Sequence, residues 1–138
     1  MSAEQEILQE CRVIAVIGLS DNPDRASYHV AHYLMDQGYR VIPVNPMVKW
    51  VLGQTSYPDL DSVPVAVDVV DIFRRSEEVP ELVEQAIRKG ARVVWMQEGV
   101  VHEAAAERAR GAGLKVVMDK CMRKEHARML GPPHPPWA

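Results

Sequence analysis

The stretch RVIAVIGLSDNPDRAS, Arg12 to Ser27, decides how the chain is read. Its first half is a nearly unbroken apolar, β-rich run ending on Gly18. Such a run reads as a strand buried on both faces. Its second half is dense in turn residues and leads into ASYHVAHYLMDQG (26–38). There the apolar positions Ala26, Val30, Tyr33 and Leu34 follow a helical period, and Gly38 closes the segment as a helix C-cap would. Strand, glycine loop and helix open many nucleotide-binding folds. The dinucleotide fingerprint G-x-G-x-x-G is nevertheless missing, because Ser20 and Asn22 stand in the loop after Gly18.

The same alternation continues outward from this unit. YRVIPVNP (39–46) reads as a second strand stopped by Asn45-Pro46, and VAVDVVDIF (65–73) as a third. SEEVPELVEQAIRKG (76–90) places Val79, Leu82, Val83, Ala86 and Ile87 on one helical stripe. Ser76 is the expected cap of that helix, and Pro80 is tolerated in its first turn. ARVVWMQEG (91–99) and LKVVMD (114–119) are the fourth and fifth strands. Two further helices are expected at VHEAAAERARGAG (101–113) and KCMRKEHARML (120–130). The stretch 47–64 is weakly periodic and reads as an irregular excursion with at most a short helical turn. The predicted class is α/β: a doubly wound, mainly parallel, Rossmann-like sheet of five strands or six, with helices on both faces. One domain is expected over residues 1–130, followed by a Pro-rich tail, GPPHPPWA (131–138).

Bulk properties narrow the function classes. The chain has 138 residues, 47% hydrophobic and 25% charged, with a net charge of -3. That balance gives no support to nucleic-acid binding, which needs a basic surface. The start MSAEQEILQE lacks the basic and apolar regions of a signal peptide. No apolar run approaches the roughly 20 residues that a membrane span requires. A cytoplasmic location with reduced thiols at Cys11 and Cys121 is the expectation. No Walker loop, nucleophile elbow or H-E-x-x-H is present. Cys121 and His126 lie about 140° apart on a helix, which argues against a nucleophile pair. A packed cysteine and an exposed histidine are expected there instead. His29 and His32 have metal-compatible spacing but no acidic or Cys partner, and their Ala-Val context points to packing. His102 and His134 have no evident partners.

In a doubly wound sheet, ligands bind outside the carboxyl ends of the strands. After the first strand, Gly18 allows close backbone approach, and the helix beginning near Ser27 offers free N–H groups to an anion. Ser20, Asn22 and Ser27 add neutral donors, and Arg25 adds a cation. After the second strand, Asn45-Pro46 stands where a dinucleotide fold carries a ribose-binding acid. After the third come Phe73-Arg74-Arg75; adjacent arginines face different ways, so one of them can enter the crevice and grip phosphate. The competing reading is that both pair with Glu77 or Glu78 on the surface. After the fourth, Gln97-Glu98-Gly99 can hydrogen-bond a ribose or an amide.

Together, VIGLSDNPDRASYHVAHYLMDQGYRVIPVNP, LGQTSYPDLDSVP, VDVVDIFRRSEEVPELVEQAIRKGARVVWMQEGV and GLKVVMDKCMRKEHARML resemble the small single-domain CoA-binding proteins. That family is similar to the N-terminal CoA-binding domain of the succinyl-CoA synthetase alpha subunit and of ADP-forming acyl-CoA synthetases. The resemblance spans roughly residues 10 to 130 in the family's order. It implies a Rossmann-like fold and coenzyme A, or an acyl-CoA, as ligand. It further implies a first phosphate-side loop at Gly18, Leu19 and Ser20, continued by Arg25, Ser27 and Tyr28 at the helix entry. Asn45 and Pro46 match the second rim, Phe73, Arg74 and Arg75 the third, and Gln97 and Glu98 the fourth. In the synthetases the third rim is apolar and proline-containing, so the two arginines follow the small-protein branch. The synthetase region bearing the phosphorylated histidine has no counterpart here, which favours a binding or accessory protein over a complete ligase. The alternative is an NAD(P)-linked oxidoreductase using the same rim, with Arg40 or Lys49 accepting a 2′-phosphate. A third reading is a regulatory subunit whose last helix and tail, with Trp137, contact a protein partner or a second copy.

Overall fold

The computed structural model describes residues 2–130; the Pro-rich tail expected at 131–138 lies outside the described residues. Five parallel strands form the main sheet: β1 (Val13–Ile17), β2 (Arg40–Val44), β5 (Val69–Ile72), β6 (Val93–Met96) and β7 (Lys115–Val117). Between β2 and β5 a two-stranded hairpin, β3 (Trp50–Val51) and β4 (Gln54–Thr55), forms a separate sheet. The helices are α1 (Ala3–Glu10), α2 (Ala26–Asp36), α3 (Val79–Lys89), α4 (Glu103–Gly111) and α5 (Met122–Leu130), with a 3₁₀ turn at Ser76–Glu78. No helix among the described residues is long and apolar enough to cross a membrane.

The strand order is β2-β1-β5-β6-β7, all parallel. From β1 the chain steps out to β2 on one side, then returns to build β5, β6 and β7 on the other. The connections after β1 and β5 therefore lead to helices on opposite faces of the sheet, α2 on one and α3 on the other, and a crevice opens at this reversal of direction. The alternation in β1 accounts for the two-faced burial. Ala15 and Ile17 join the layer of α3 and α4, which contributes Val83, Ala86, Ala105 and Ala109. Ile14 and Val16 join the layer of α1, α2 and α5, with Ile7, Leu8, Val30, Leu34 and Met122. A strand with apolar groups on both sides needs helices on both sides, and this chain supplies them.

The sheet and its four expected helices agree with the sequence reading, while several details differ. The apolar pattern predicts no element over residues 1–10, yet α1 forms there. Ser2 caps it: its Oγ accepts the Gln5 N–H at 3.2 Å and its own N–H donates to Gln5 Oε1 at 3.0 Å. The excursion after β2 is the β3–β4 hairpin rather than a helical turn. Leu52 and Gly53, at φ 52° and 73°, make the two-residue turn with positive φ that matches strand twist. Ser76 does not cap α3; its Oγ accepts the Val101 N–H at 3.0 Å and ties two rims together. His126 is buried rather than exposed, sharing a 2.8 Å hydrogen bond with the Tyr33 hydroxyl through Nδ1. His29 and His32 are exposed rather than packed, and His32 lies 3.8 Å from Asp36. His102 has a partner after all: its Nδ1 accepts the Ala105 N–H at 3.1 Å and caps α4.

Candidate functional site

Gly18 shapes the first rim. Its φ is 85°, and a Cβ added there would lie 2.6 Å from the Phe73 carbonyl oxygen and 2.8 Å from Arg74 Cδ. The first loop therefore passes directly against the loop after β5, an approach open only to a residue without a side chain. The Gly18 N–H donates to Val44 O at 2.8 Å. Asn45 Nδ2 donates to Leu19 O at 3.1 Å, while its Oδ1 accepts the Met47 N–H at 2.9 Å. Asn45 is thus a bracket between two rims, with both ends of its amide in use.

The rest of the first loop is organised by its own polar groups. Ser27 Oγ accepts the Ser20 N–H at 3.0 Å, Ser20 Oγ accepts that of Asn22 at 3.0 Å, and Asn22 Oδ1 accepts that of Asp24 at 2.9 Å. Arg25 occupies the N-cap position of α2 without a side-chain cap bond. The Arg25 carbonyl accepts the Tyr28 N–H at 3.1 Å, but its side chain caps none of the first N–H groups of α2, at the positive end of the helix dipole.

A cleft of about 660 Å³ lies beside this loop, in the range of ligand-sized sites. Arg25, Phe73, Arg74, Arg75, Gln97 and Glu98 all line it, so these expected site residues converge. Gly18 and Pro46 instead line a smaller cavity of about 130 Å³, which shares Arg74 and its partner Glu78 with the cleft. Leu19 is fully buried and serves the core. Ser20, Ser27, Tyr28 and Asn45 are not in the cleft wall; Ser20, Ser27 and Asn45 hold the loop, and the Tyr28 ring lies 6.4 Å from that of His32. Cys121, Val100 and Glu78 also line the cleft, though none was selected from sequence.

The arginines are paired as they stand. Arg74 Nη2 donates to Glu78 Oε1 at 2.9 Å and Arg74 Nε to the same oxygen at 3.2 Å. Arg75 Nε lies 3.7 Å from Glu77 and 3.6 Å from Glu78, with the side chain 78% exposed. The surface-pairing alternative thus describes their present state. These are exposed or half-exposed pairs of low worth, which an incoming phosphate can exchange for its own bonds. The hydrogen bond from Arg74, chiefly, holds the Glu78 carboxyl below its ordinary value. Glu98 is likewise engaged, receiving Lys124 Nζ at 3.0 Å. Its neighbour Gly99 donates its N–H to Asp119 Oδ1 at 2.7 Å, joining the β6 and β7 rims.

Beneath the cleft sits a residue that sequence reasoning passed over. Asp71, inside β5, is fully buried, accepts Gln97 Nε2 at 2.6 Å through Oδ1, and leaves Oδ2 without a partner. Burial raises its pKa to about 7, against the opposing effect of the Gln97 hydrogen bond. A single acid within the apolar run VVDIF was the available signal. Among the described residues no group of three or more His, Cys, Asp or Glu could hold a metal ion.

Residues 12–127 match the family described as CoA binding domain. The chain is 42% identical over 123 residues to the uncharacterized protein YneT of Bacillus subtilis, covering 89% of this chain and 91% of that protein. It is 31% identical over 121 residues to acetate–CoA ligase [ADP-forming] I of Archaeoglobus fulgidus, spanning 88% of this chain but only 17% of that protein. Its fold superposes on a hypothetical protein from Pyrococcus horikoshii OT3 with a TM-score of 0.90 and 43% identity, covering 93% of this chain and 90% of that one.

Proposed function

The chain belongs to the CoA binding domain family, and from that premise we propose that it binds coenzyme A or an acyl-CoA in the cleft at the ends of β1, β5 and β6, as a binding or accessory module. The binding domain is residues 1–130, with 131–138 as an appended tail. The observation that carries this reading is the convergence of Arg25, Arg74 and Arg75 on one cleft beside the uncapped start of α2. CoA carries a pyrophosphate and a ribose 3′-phosphate, and a guanidinium fork and a free helix start are the groups that receive them. Arg74 is the principal phosphate ligand, because it borders both the cleft and the cavity under Gly18. Arg25 and Arg75 supply further charge, and Gln97 is the polar floor.

The oxidoreductase alternative is weaker on one point of geometry. An NAD fold places an acid after the second strand, and here stands Asn45, a neutral residue whose amide bonds Leu19 and Met47. Calorimetric titration with CoA, dephospho-CoA, NAD and NADP separates the readings. CoA should bind, dephospho-CoA more weakly. Tight NAD or NADP binding with no response to CoA would refute the proposal. Arg74→Ala should weaken CoA binding by about 1–3 kcal/mol, the worth of a hydrogen bond to a charged group. Unchanged affinity in both Arg74→Ala and Arg75→Ala would remove the arginine rim from the site.

A further inference from the structure

Gln97 forms part of the cleft wall, and Asp71 lies behind it, closed to solvent. The two are joined by one hydrogen bond, from Gln97 Nε2 to Asp71 Oδ1 at 2.6 Å. An ionised carboxylate only accepts hydrogen bonds. While Asp71 is charged, the amide must turn its nitrogen inward, and its oxygen is the end left for the cleft. A protonated Asp71 has an O–H to donate. Gln97 can then rotate, accept that proton on Oε1 and turn its NH₂ group toward the cleft. The unpartnered Oδ2 is the oxygen open to that proton, and the turn of the amide exchanges the Nε2–Oδ1 bond for one from the carboxyl O–H to Oε1.

We propose that Asp71 is a positioning residue that sets the donor or acceptor sense of the cleft floor through Gln97, so that the cleft prefers an anionic group when Asp71 carries a proton. The inference rests on the CoA reading for the identity of the anion and on the structure alone for the pair. Two effects act in the same direction. Protonation removes a buried negative charge from behind the cleft, and it offers the anion a donor in place of an acceptor. Binding of an anion must then draw a proton onto Asp71, by linkage.

The surroundings leave Asp71 as the group that titrates in this pair. It shares its face of the sheet with its register partners Val16 on β1 and Trp95 on β6, both apolar. The buried residues of α1 and α2 on that layer are Ile7, Leu8, Ser27, Val30, Ala31 and Leu34, none of which titrates. The buried titratable groups in α5 and the residue before it are His126 and Cys121, and burial holds the His126 imidazole below its ordinary value and so toward the neutral form. Tyr33 and Tyr39, raised by burial, are neutral as well. The charged groups lining the cleft are Arg25, Arg74, Arg75, Glu78 and Glu98, with Glu78 paired to Arg74 and Glu98 to Lys124; Asp119 lies beside them on the β7 rim, accepting the Gly99 N–H.

The test has two arms. In the ligand-free protein, the Gln97 side-chain amide is followed by NMR from about pH 5.5 to 8.5, a range centred on the titration of the raised carboxyl. It should titrate in the parent protein and stay fixed in Asp71→Asn, whose amide mimics the protonated acid. A Gln97 signal that does not titrate, or that titrates equally in the variant, overturns the inference whatever the ligand proves to be. In the second arm, affinity for dephospho-CoA is measured at both ends of the range. That probe lacks the phosphomonoester whose own second proton leaves near pH 6. The parent should bind about threefold or more tightly at about pH 6 than at about pH 8, with proton uptake, and Asp71→Asn should bind alike at both. Binding that ignores pH in the parent overturns the stated preference. Absence of any CoA or dephospho-CoA binding refutes the CoA reading, and the NMR arm still decides the Asp71–Gln97 pair.

Discussion

Asp71 and His126 pull the pH dependence of stability in opposite directions. The Asp71 carboxyl stands at about 7 in the folded protein against 3.8 unperturbed. Across that interval the folded chain holds a proton that the unfolded chain has released, so stability falls as pH rises toward 7 and is level above it. At 1.36 kcal/mol per pKa unit, the loss approaches roughly 4 kcal/mol. His126 behaves inversely: its pKa is lowered below 6.5 by burial, so its contribution is intact above 6.5 and is lost as pH falls below it. Urea unfolding of the parent and Asp71→Asn should isolate the acid. The difference should move in the variant's favour by about 2–4 kcal/mol between about pH 5 and pH 8, and an unchanging difference would refute the assignment. Gly18→Ala tests the close approach of two rims. With a Cβ 2.6 Å from a backbone oxygen and φ at 85°, the variant should lose about 2–3 kcal/mol on thermal or urea unfolding. At this scale the sequence was informative where chemistry is local: Gly18 after a strand and an arginine pair at a strand end could be read directly. It was silent where a residue's role depends on its neighbours across the sheet. Nothing in the neighbourhood of Asp71 in sequence says that Gln97 will be its partner.

Elements decide which rim groups are available to a ligand. Glu78, in the 3₁₀ turn before α3, holds Arg74 and flanks Arg75. Glu78→Gln should therefore release the arginines and strengthen CoA binding by up to about 1 kcal/mol, the usual ceiling for an exposed pair. Weaker binding on calorimetry would instead mean that Glu78 positions them. The helix α1 is an independent test of packing. Ile7 and Leu8 are each 1% exposed, and Tyr39 donates its hydroxyl to the Leu8 carbonyl. Deleting residues 1–10 should cost about 3 kcal/mol or more in urea unfolding, from those two side chains. The helix was legible in principle, since Ser2 and Gln5 have the spacing of a capping box. With only two large apolar residues, adjacent to each other, it has too little periodicity to announce itself. The hairpin was hidden for another reason: Leu52 holds φ at 52°, where Asn or Asp would have been the expected signal. By contrast α3, with its full apolar stripe and Gly90 at φ 77° as C-cap, could be read from sequence alone.

For the whole molecule, the alternation of buried runs and amphipathic segments was enough for the doubly wound sheet, because each strand must be covered on both faces. The order of strands then places the cleft where the connections after β1 and β5 part toward opposite faces of the sheet. A ligand held there bridges segments from the two directions of the sheet and must stabilise the fold as a unit. CoA at about 100 times its dissociation constant should add about 2.7 kcal/mol to unfolding, visible as a raised Tm. NAD at equal concentration should leave Tm in place. The interior also carries an optical reporter. Trp95 is fully buried, sits opposite Asp71 in the sheet, and donates its indole N–H to the Lys120 carbonyl at 2.8 Å, one residue from Cys121 in the cleft wall. With Trp50 and Trp137 replaced by Phe, the remaining emission would come from this one ring. Its colour and intensity would follow both the charge on the neighbouring carboxyl and the filling of the cleft, so binding could be followed in real time without attaching a dye.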